Sequence, residues 1–183
     1  ELINLFTLES VNKAPAVFDF EKLKWMNHKY ISLLDSEKIY NTAQSIGVNF
    51  GNKPKEWWLE FIELMKDHFD TLKDIENLSS QIFTPYELKE EIVNELRDPQ
   101  IKSLLATFKE KLEALTTFNK DTILDTIKQI GKELKIKGKA LYFPLRLAIT
   151  MSEQGIEVHE YVYFIGKEEA ISRLNKVLEV LDA

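Results

Sequence analysis

Apolar residues recur along this chain at steps of three and four, the spacing of one face of an α-helix. A first helix is predicted after Asp19, with Leu23, Met26, Tyr30 and Leu33 on a common stripe. A second runs from about Ser36 until Gly47, a residue type that stops helices. Pro54 at a first-turn position opens a third, whose stripe is Trp58, Phe61, Ile62, Met65 and Phe69. Thr84-Pro-Tyr-Glu87 reads as a capping box with proline at the first helical position. Asp98-Pro99 repeats the device, and Ile101, Leu104, Leu105, Phe108, Leu112 and Leu115 keep register after it.

Another helix is expected from Asn119 or Lys120 through Ile123, Leu124, Ile127 and Ile130. The Lys137-Gly138-Lys139 turn interrupts, and Pro144 is expected to begin a short helix to about Glu153. An apolar segment over Val158–Ile165 ends at Gly166. A last helix follows, with Ile171, Leu174, Val177, Leu178 and Leu181 on one face. No run alternates in the way a strand does, so the predicted fold class is all-α. Residues 77–84 and the Asp98-Pro99 break are the candidate boundaries between two helical subdomains.

Composition narrows the function classes. The chain has 183 residues, 44% hydrophobic and 30% charged, with 6 glycines and 5 prolines, a helical globular composition. It has no cysteine, which excludes disulfides, thiolate catalysis and Cys-ligated zinc. His28, His68 and His159 are too scattered to suggest a metal site. No apolar run reaches the roughly 18 residues a membrane span needs, and no signal peptide is evident. The chain opens at Glu1, not Met, so its start is expected to be a cut within a longer protein. Phosphate-loop, zincin, hydrolase-elbow and kinase signatures are absent. Glu90-Glu91 and Glu168-Glu169 lie on polar helix faces and read as solvated. Trp57 and Trp58 offer a stacking surface for bases in one reading; in the other, Trp58 is core and Trp57 half-exposed.

Charge changes the picture at one place. From Lys128 to Arg146 six cations (Lys128, Lys132, Lys135, Lys137, Lys139 and Arg146) face only Glu133, in a chain of net charge -6. A basic island on an acidic protein points to an anionic partner met through a local face; a solvated lysine loop is the alternative.

Particular residues say more. Leu2-Ile-Asn-Leu-Phe6, then Ala14-Pro-Ala-Val-Phe-Asp-Phe-Glu-Lys-Leu-Lys-Trp-Met-Asn-His-Lys-Tyr-Ile31, is followed by Phe69-Asp-Thr-Leu72 and by Lys137-Gly-Lys-Ala-Leu-Tyr-Phe-Pro-Leu-Arg-Leu-Ala-Ile-Thr150. Ile165-Gly-Lys-Glu-Glu169 with Arg173-Leu174 comes last. In this order the landmarks resemble the segment following the catalytic core of bacterial glutamyl-tRNA synthetase. That family's pattern includes counterparts of Phe18, Asp19, Lys22, Leu23, Trp25, Asn27 and Tyr30.

The resemblance implies a class I aminoacyl-tRNA synthetase parent, which activates glutamate with ATP and transfers it to tRNA. Its His-Ile-Gly-His-like and Lys-Met-Ser-Lys-Ser-like catalytic motifs do not occur here. The expectation is therefore a noncatalytic C-terminal part without cofactor of its own, with ATP and magnesium belonging to the catalytic domain. Residues 1–33 would be the tail of the stem-contact region, 34–90 a first helical anticodon-binding subdomain and 91–183 a second. The expected partner is glutamate tRNA, with glutamine tRNA a second candidate, for a cytoplasmic, monomeric protein. The rival function is a helical module docking another synthetase or an amidotransferase.

The resemblance also implies roles. Arg146 would contact the anticodon loop, and Gly155, Ile156 and Val158 the first two anticodon letters. Two departures stand out. The family form has glycine after Ala-Leu-Thr and later a Gly-Pro pair, where this chain has Met151 and Gly155-Ile156. His68 stands where some members carry an arginine thought to read the third letter; Lys66 is a helper there, and a histidine without specific role is the alternative. Lys132, Lys135, Lys137 and Lys139 are expected to hold phosphates.

Overall fold

The structure, a computed structural model, describes residues 18–182. Positions 2–6 and 14–17 of the first landmark lie outside them. Every regular element among the described residues is helical, so the fold is all-α. The chain divides into two compact units, Glu1–Glu76 and Asn77–Ala183.

The first unit contains α1 (Phe20–Leu33), α2 (Ser36–Ser45), α3 (Lys55–Met65) and a 3-10 turn over Lys66–His68. Asp19 and Asp35 cap α1 and α2, accepting hydrogen bonds from Lys22 N at 3.0 Å and Lys38 N at 2.7 Å. Trp58, Phe61, Ile62, Met65 and Phe69 form a buried stripe facing Ile39 and Ala43, with α2 packed on α3. The predicted stripe of α1 behaves differently. Leu23, Met26, Tyr30 and Leu33 are exposed, and Ile31 is the buried residue of this helix. What seats α1 is polar: Asn27 Nδ2 donates to the Asp70 carbonyl, and His28 Nδ1 lies 3.1 Å from the Phe69 carbonyl. Phe18, Phe20 and Trp25 are exposed as well, so α1 presents a broad apolar face.

Helix α4 (Asp74–Phe83) carries the dividing point and covers most of the segment read from sequence as a junction. The second unit continues with α5 (Glu90–Glu95), α6 (Pro99–Ala114), α7 (Lys120–Glu133), α8 (Lys139–Thr150), α9 (Val158–Ile165) and α10 (Lys167–Asp182). Helix α10 lies along α6, α7 packs on α6 and α9, and α8 contacts α6, α9 and α10. Leu104, Leu105, Phe108, Ile127, Ile130, Leu145, Val162 and Leu174 are buried among the residues of this core. Lys167 Nζ donates at 2.8 Å to the carbonyls of Glu113 and Leu115, satisfying the frayed end of α6.

The bounds of two helices and of one subdomain differ from the sequence reading. Thr84 does not cap a helix: its hydroxyl turns back to the Ser80 carbonyl at 2.7 Å, residues 85–89 are not helical, and α5 starts at Glu90. Pro144 does not open α8 but sits inside it, and α8 ends at Thr150, before Glu153. Proline there removes the bond to the Ala140 carbonyl, a loss that falls at an exposed residue in the first turn of α8. Residues 77–90, grouped by sequence with the first subdomain, belong compactly with the second unit, since Tyr86 and Lys89 bond to its helix α8.

Candidate nucleic-acid interface

The basic approach begins where α7 ends. Ile136 N bonds to the Gly131 carbonyl at 2.9 Å and Lys135 N to that of Lys132 at 3.4 Å, the paired bonds of a Schellman stop. That motif puts Lys135 in the left-handed region at φ 56°, a conformation usually left to glycine. Gly131 is buried, and a Cβ on it would meet Leu141 Cδ2 at 2.7 Å and the Ile136 carbonyl at 2.8 Å. A side chain is therefore excluded there, and the turn is drawn tight against the start of α8.

Lys132, Lys135, Lys137 and Lys139 are all exposed. Among the described residues the ion pairs within 4.0 Å include none of the four. Glu133, the lone carboxylate in the run, is taken by Lys111 at 3.0 Å from another helix, which holds it below the usual carboxylate range. Lys139 Nζ lies 4.7 Å from the centroid of the Phe143 ring. The positive charge of this turn is thus left uncompensated by the chain itself.

Arg146 lies on α8 beyond Pro144 and is half-buried. Its Nη1 is enclosed and has no hydrogen-bond partner. An unpaired buried donor costs about 1–3 kcal/mol, so such an atom calls for an acceptor from outside the fold. Gly155 lies against it: a Cβ there would stand 3.4 Å from Nη1, in contact, and Gly155 holds φ +139°, a conformation that favours glycine. The structure therefore brings together Arg146 and Gly155, which sequence had named separately. Ile156 is half-buried in the same loop, and Val158, 1% exposed, is core at the first position of α9. Its position argues against a base contact and for anchoring the loop.

The loop keeps its shape without the glycine and proline of the family form. Met151 itself takes the left-handed conformation, φ 49° and ψ 37°, at the end of α8. Its side chain is 3% exposed, and burying a methionine is worth about 1.5–3 kcal/mol, enough to offset a left-handed cost of about 1–2 kcal/mol. Thr150 Oγ1 accepts from Ser152 N at 3.1 Å, and Ser152 Oγ donates to the Gln154 carbonyl at 3.1 Å.

Three side chains brace the end of α8 that carries Arg146. The Tyr86 hydroxyl donates to the Ala148 carbonyl, Arg173 Nη1 to that of Ile149 at 3.0 Å, and Lys89 Nζ to that of Met151 at 2.9 Å. Two of the three are cations at a helix C-terminus, where the helix dipole favours them. Arg173 is 4% exposed; it also donates to the Tyr161 hydroxyl at 3.2 Å and to Glu169 at 2.7 Å, and lies 4.8 Å from the Tyr86 ring. Glu169 is thereby a partner for Arg173, not a purely solvated charge, whereas Glu90, Glu91 and Glu168 are exposed. Burial pushes the Tyr86 phenol well above its usual range, which keeps it a donor. Sequence reading gave Tyr86, Lys89 and Arg173 no structural role. The available signal was Arg173 on the stripe of Ala170, Leu174 and Val177.

His159 on α9 was also passed over; its Nδ1 is a second enclosed atom without a partner near this loop in sequence. In the first unit, His68 is exposed at the end of its 3-10 turn. Lys66 is not available as expected: its Nζ lies 2.7 Å from Glu63, whose carboxyl Lys66 and Ser36 together hold below the usual range. Trp58 is core at 2% exposure, and Trp57 packs parallel to Phe61 at 5.4 Å, so neither forms an open platform for bases. Among the described residues no cluster of three histidine or carboxylate groups could hold a metal, and no helix is long and apolar enough to cross a membrane.

A family model described as "Anticodon binding domain" matches residues 24–178. The chain is 33% identical over 185 residues to a glutamate–tRNA ligase of Bacillus subtilis, covering 97% of this chain and 38% of that protein. It is 35% identical over 185 residues to one from Sulfurihydrogenibium, covering 98% of this chain and again 38% of the relative. A crystal structure of a glutamate tRNA ligase from Elizabethkingia meningosepticum in complex with its amino acid is similar, with a TM-score of 0.80 at 30% identity. That match covers 96% of this chain and 35% of the solved one. The chain thus spans little more than a third of the length of these proteins.

Proposed function

The chain belongs to the anticodon binding domain family, and we propose that it binds transfer RNA through the anticodon loop, as the C-terminal part of a glutamate–tRNA ligase. The observation that carries this reading is Arg146: a half-buried guanidinium with an enclosed, unpaired Nη1 set against Gly155, on the helix that four uncompensated lysines lead into. Single-stranded loops are where RNA sequence can be read, by hydrogen bonds to base edges. The lysines supply phosphate contacts, which carry no sequence information. Arg146 contacts a base or the adjoining backbone, next to the loop of Gly155 and Ile156. His68 is the candidate reader of the third letter, with Lys66 placed on Glu63.

In this reading residues 1–33 are the tail of the stem-contact region. The exposed stripe of Leu23, Met26, Tyr30 and Leu33 on one face of α1 supports that assignment, because exposed apolar surface of this kind marks an interaction site. The stretch itself does not aminoacylate; ATP and magnesium serve the catalytic domain of the parent. Its partner is glutamate tRNA, with glutamine tRNA the competitor to test, in a cytoplasmic and monomeric protein. A module that docks another synthetase or an amidotransferase finds no support in the comparisons.

The test is a mobility-shift titration with glutamate tRNA, glutamine tRNA and an anticodon-swapped transcript. Arg146→Ala should weaken binding of the cognate anticodon selectively, by roughly 1–3 kcal/mol for a bidentate base contact. Equal weakening across the three RNAs would make Arg146 a phosphate contact, and no binding of any of them by folded protein at low salt would defeat the reading.

A further inference from the structure

The second unit holds an open groove of about 490 Å³ between the start of α6 and the start of α8. Its walls are apolar: Ile101 and Leu104 from α6, Ile136 from the turn, and Phe143 and Pro144 from α8. Its polar groups are few. Gln100 stands exposed at the α6 side and Lys139 at the α8 side. Asp98, also at the edge, is engaged in capping α6 through a 2.7 Å bond from Gln100 N. No residue assigned to reading the anticodon lines this groove; Arg146 and Gly155 do not.

The geometry points to this groove as a receptor for one unstacked nucleobase of the RNA loop, distinct from the Arg146–Gly155 position; the inference rests on the RNA-binding reading above. Three observations select that occupant. The volume lies within the range of about 300–1,000 Å³ that receives small organic groups, room enough for a base. The walls suit the two faces of a base, which stacks or sandwiches regardless of its identity. The rim is cationic: Lys139 lines the groove, and Lys135 and Lys137 flank its lining residue Ile136 in the same uncompensated turn. An apolar peptide would suit the walls but not that rim, and a free anion would suit the rim but not the walls. A nucleotide is the chemistry that uses both, with its phosphate outside and its base within. The exposed Gln100 amide, able to donate and accept, is the group that would meet the base edge.

Two variants reach the groove without touching the buried core. Ala140→Trp fills it from an exposed lining position. Gln100→Glu places a charge at its mouth and should fold at least as well, because an acidic side chain suits the first turn of α6. Both are compared with the unchanged 183-residue chain for binding to the anticodon stem-loop of glutamate tRNA, and to versions carrying an abasic site at each loop position in turn. Circular dichroism checks the fold. The expected result is a loss of about tenfold in affinity for each variant, the contribution of one stacked base. One abasic position should cost the unchanged protein a similar factor and cost Ala140→Trp nothing further. Effects of the variant and of every abasic site that simply multiply would overturn the groove while leaving RNA binding intact, as would unaltered affinity in both variants. Failure of the unchanged protein to bind the stem-loop would overturn both readings.

Discussion

Lys66 and Lys135 each follow the end of a helix, and both were candidate RNA contacts, yet the fold treats them oppositely. Lys66 continues α3 in right-handed geometry and folds its ammonium onto Glu63, one turn back, with its side chain 19% exposed. Lys135 follows the end of α7 in the left-handed region, exposed, and among the described residues no carboxylate lies within ion-pair distance of it. Charge in a sequence is therefore not charge on offer. What decides is whether a carboxylate lies one helical turn away, as Glu63 does for Lys66, or has been captured elsewhere, as Glu133 has by Lys111. The same contrast extends to the surroundings. The Lys66 turn is tied to α1 through backbone carbonyls, whereas the basic segment leads to a helix end held by three side chains.

The largest way to break the contrast is to remove that brace. Arg173→Met should lower unfolding stability by about 3 kcal/mol, because it leaves the Ile149 carbonyl and the Tyr161 hydroxyl without their charged donor. Urea titration followed by circular dichroism measures it. A change below 1 kcal/mol would mean that water replaces the guanidinium, and the brace would lose its meaning.

Arg173 also shows where sequence reading stops. The caps at Asp19, Asp98 and Asn119 were legible because a short polar side chain beside a helical stripe has one common use. Thr84-Pro-Tyr-Glu87 had the same appearance, but Thr84 bonds back to close the helix before it, and no local rule separates the two. Pro144 misled because proline most often opens helices, while here it sits inside one, a single turn after the exposed Ala140. Met151 could not be foreseen in the left-handed region, since only its burial makes that conformation tolerable. In the site itself, Arg146 and the lysines were legible as residues from their motif. The enclosure of Nη1 against Gly155 and the capture of Lys66 are tertiary facts with no trace in spacing.

Gly155→Ala is the next smaller perturbation. At φ +139° an alanine is strained, and relieving that strain would shift the loop against Arg146 Nη1, which its Cβ would touch at 3.4 Å. The expected outcome is a roughly tenfold loss of affinity for glutamate tRNA, matching a displaced contact of about 1.4 kcal/mol. Arg146→Ala combined with Gly155→Ala should then lose no more than Arg146→Ala alone. Multiplying losses in that cycle would separate Gly155 from Arg146.

Lys135→Gly sharpens the comparison by moving two properties in opposite directions. Relieving the left-handed lysine should raise stability by about 0.5 kcal/mol, the strain relief being partly offset by the freer unfolded chain. Losing the phosphate contact should lower the slope of log affinity against log salt by about 1. Lys66→Met, by contrast, should leave that slope unchanged. Equal slopes for the two variants would erase the distinction between captured and offered charge.

The smallest effect tests the capture directly. Glu63 is held below its ordinary value by the hydrogen bonds from Lys66 and Ser36, with desolvation opposing them. A carboxyl whose folded pKa is depressed contributes stability above its unfolded value of about 4.3, and loses it as pH falls through the folded value. The Glu63 side chain is 60% exposed, so solvent screening limits the contribution to a few tenths of a kcal/mol. Lys66→Met should therefore lower the melting temperature slightly at pH 7 and by less at pH 3, because acid progressively protonates Glu63 and weakens what distinguishes lysine from methionine. A deficit that stays the same at both pH values would assign the loss to the packing of the lysine stem, and Lys66 would be anchored by its methylenes instead of its charge.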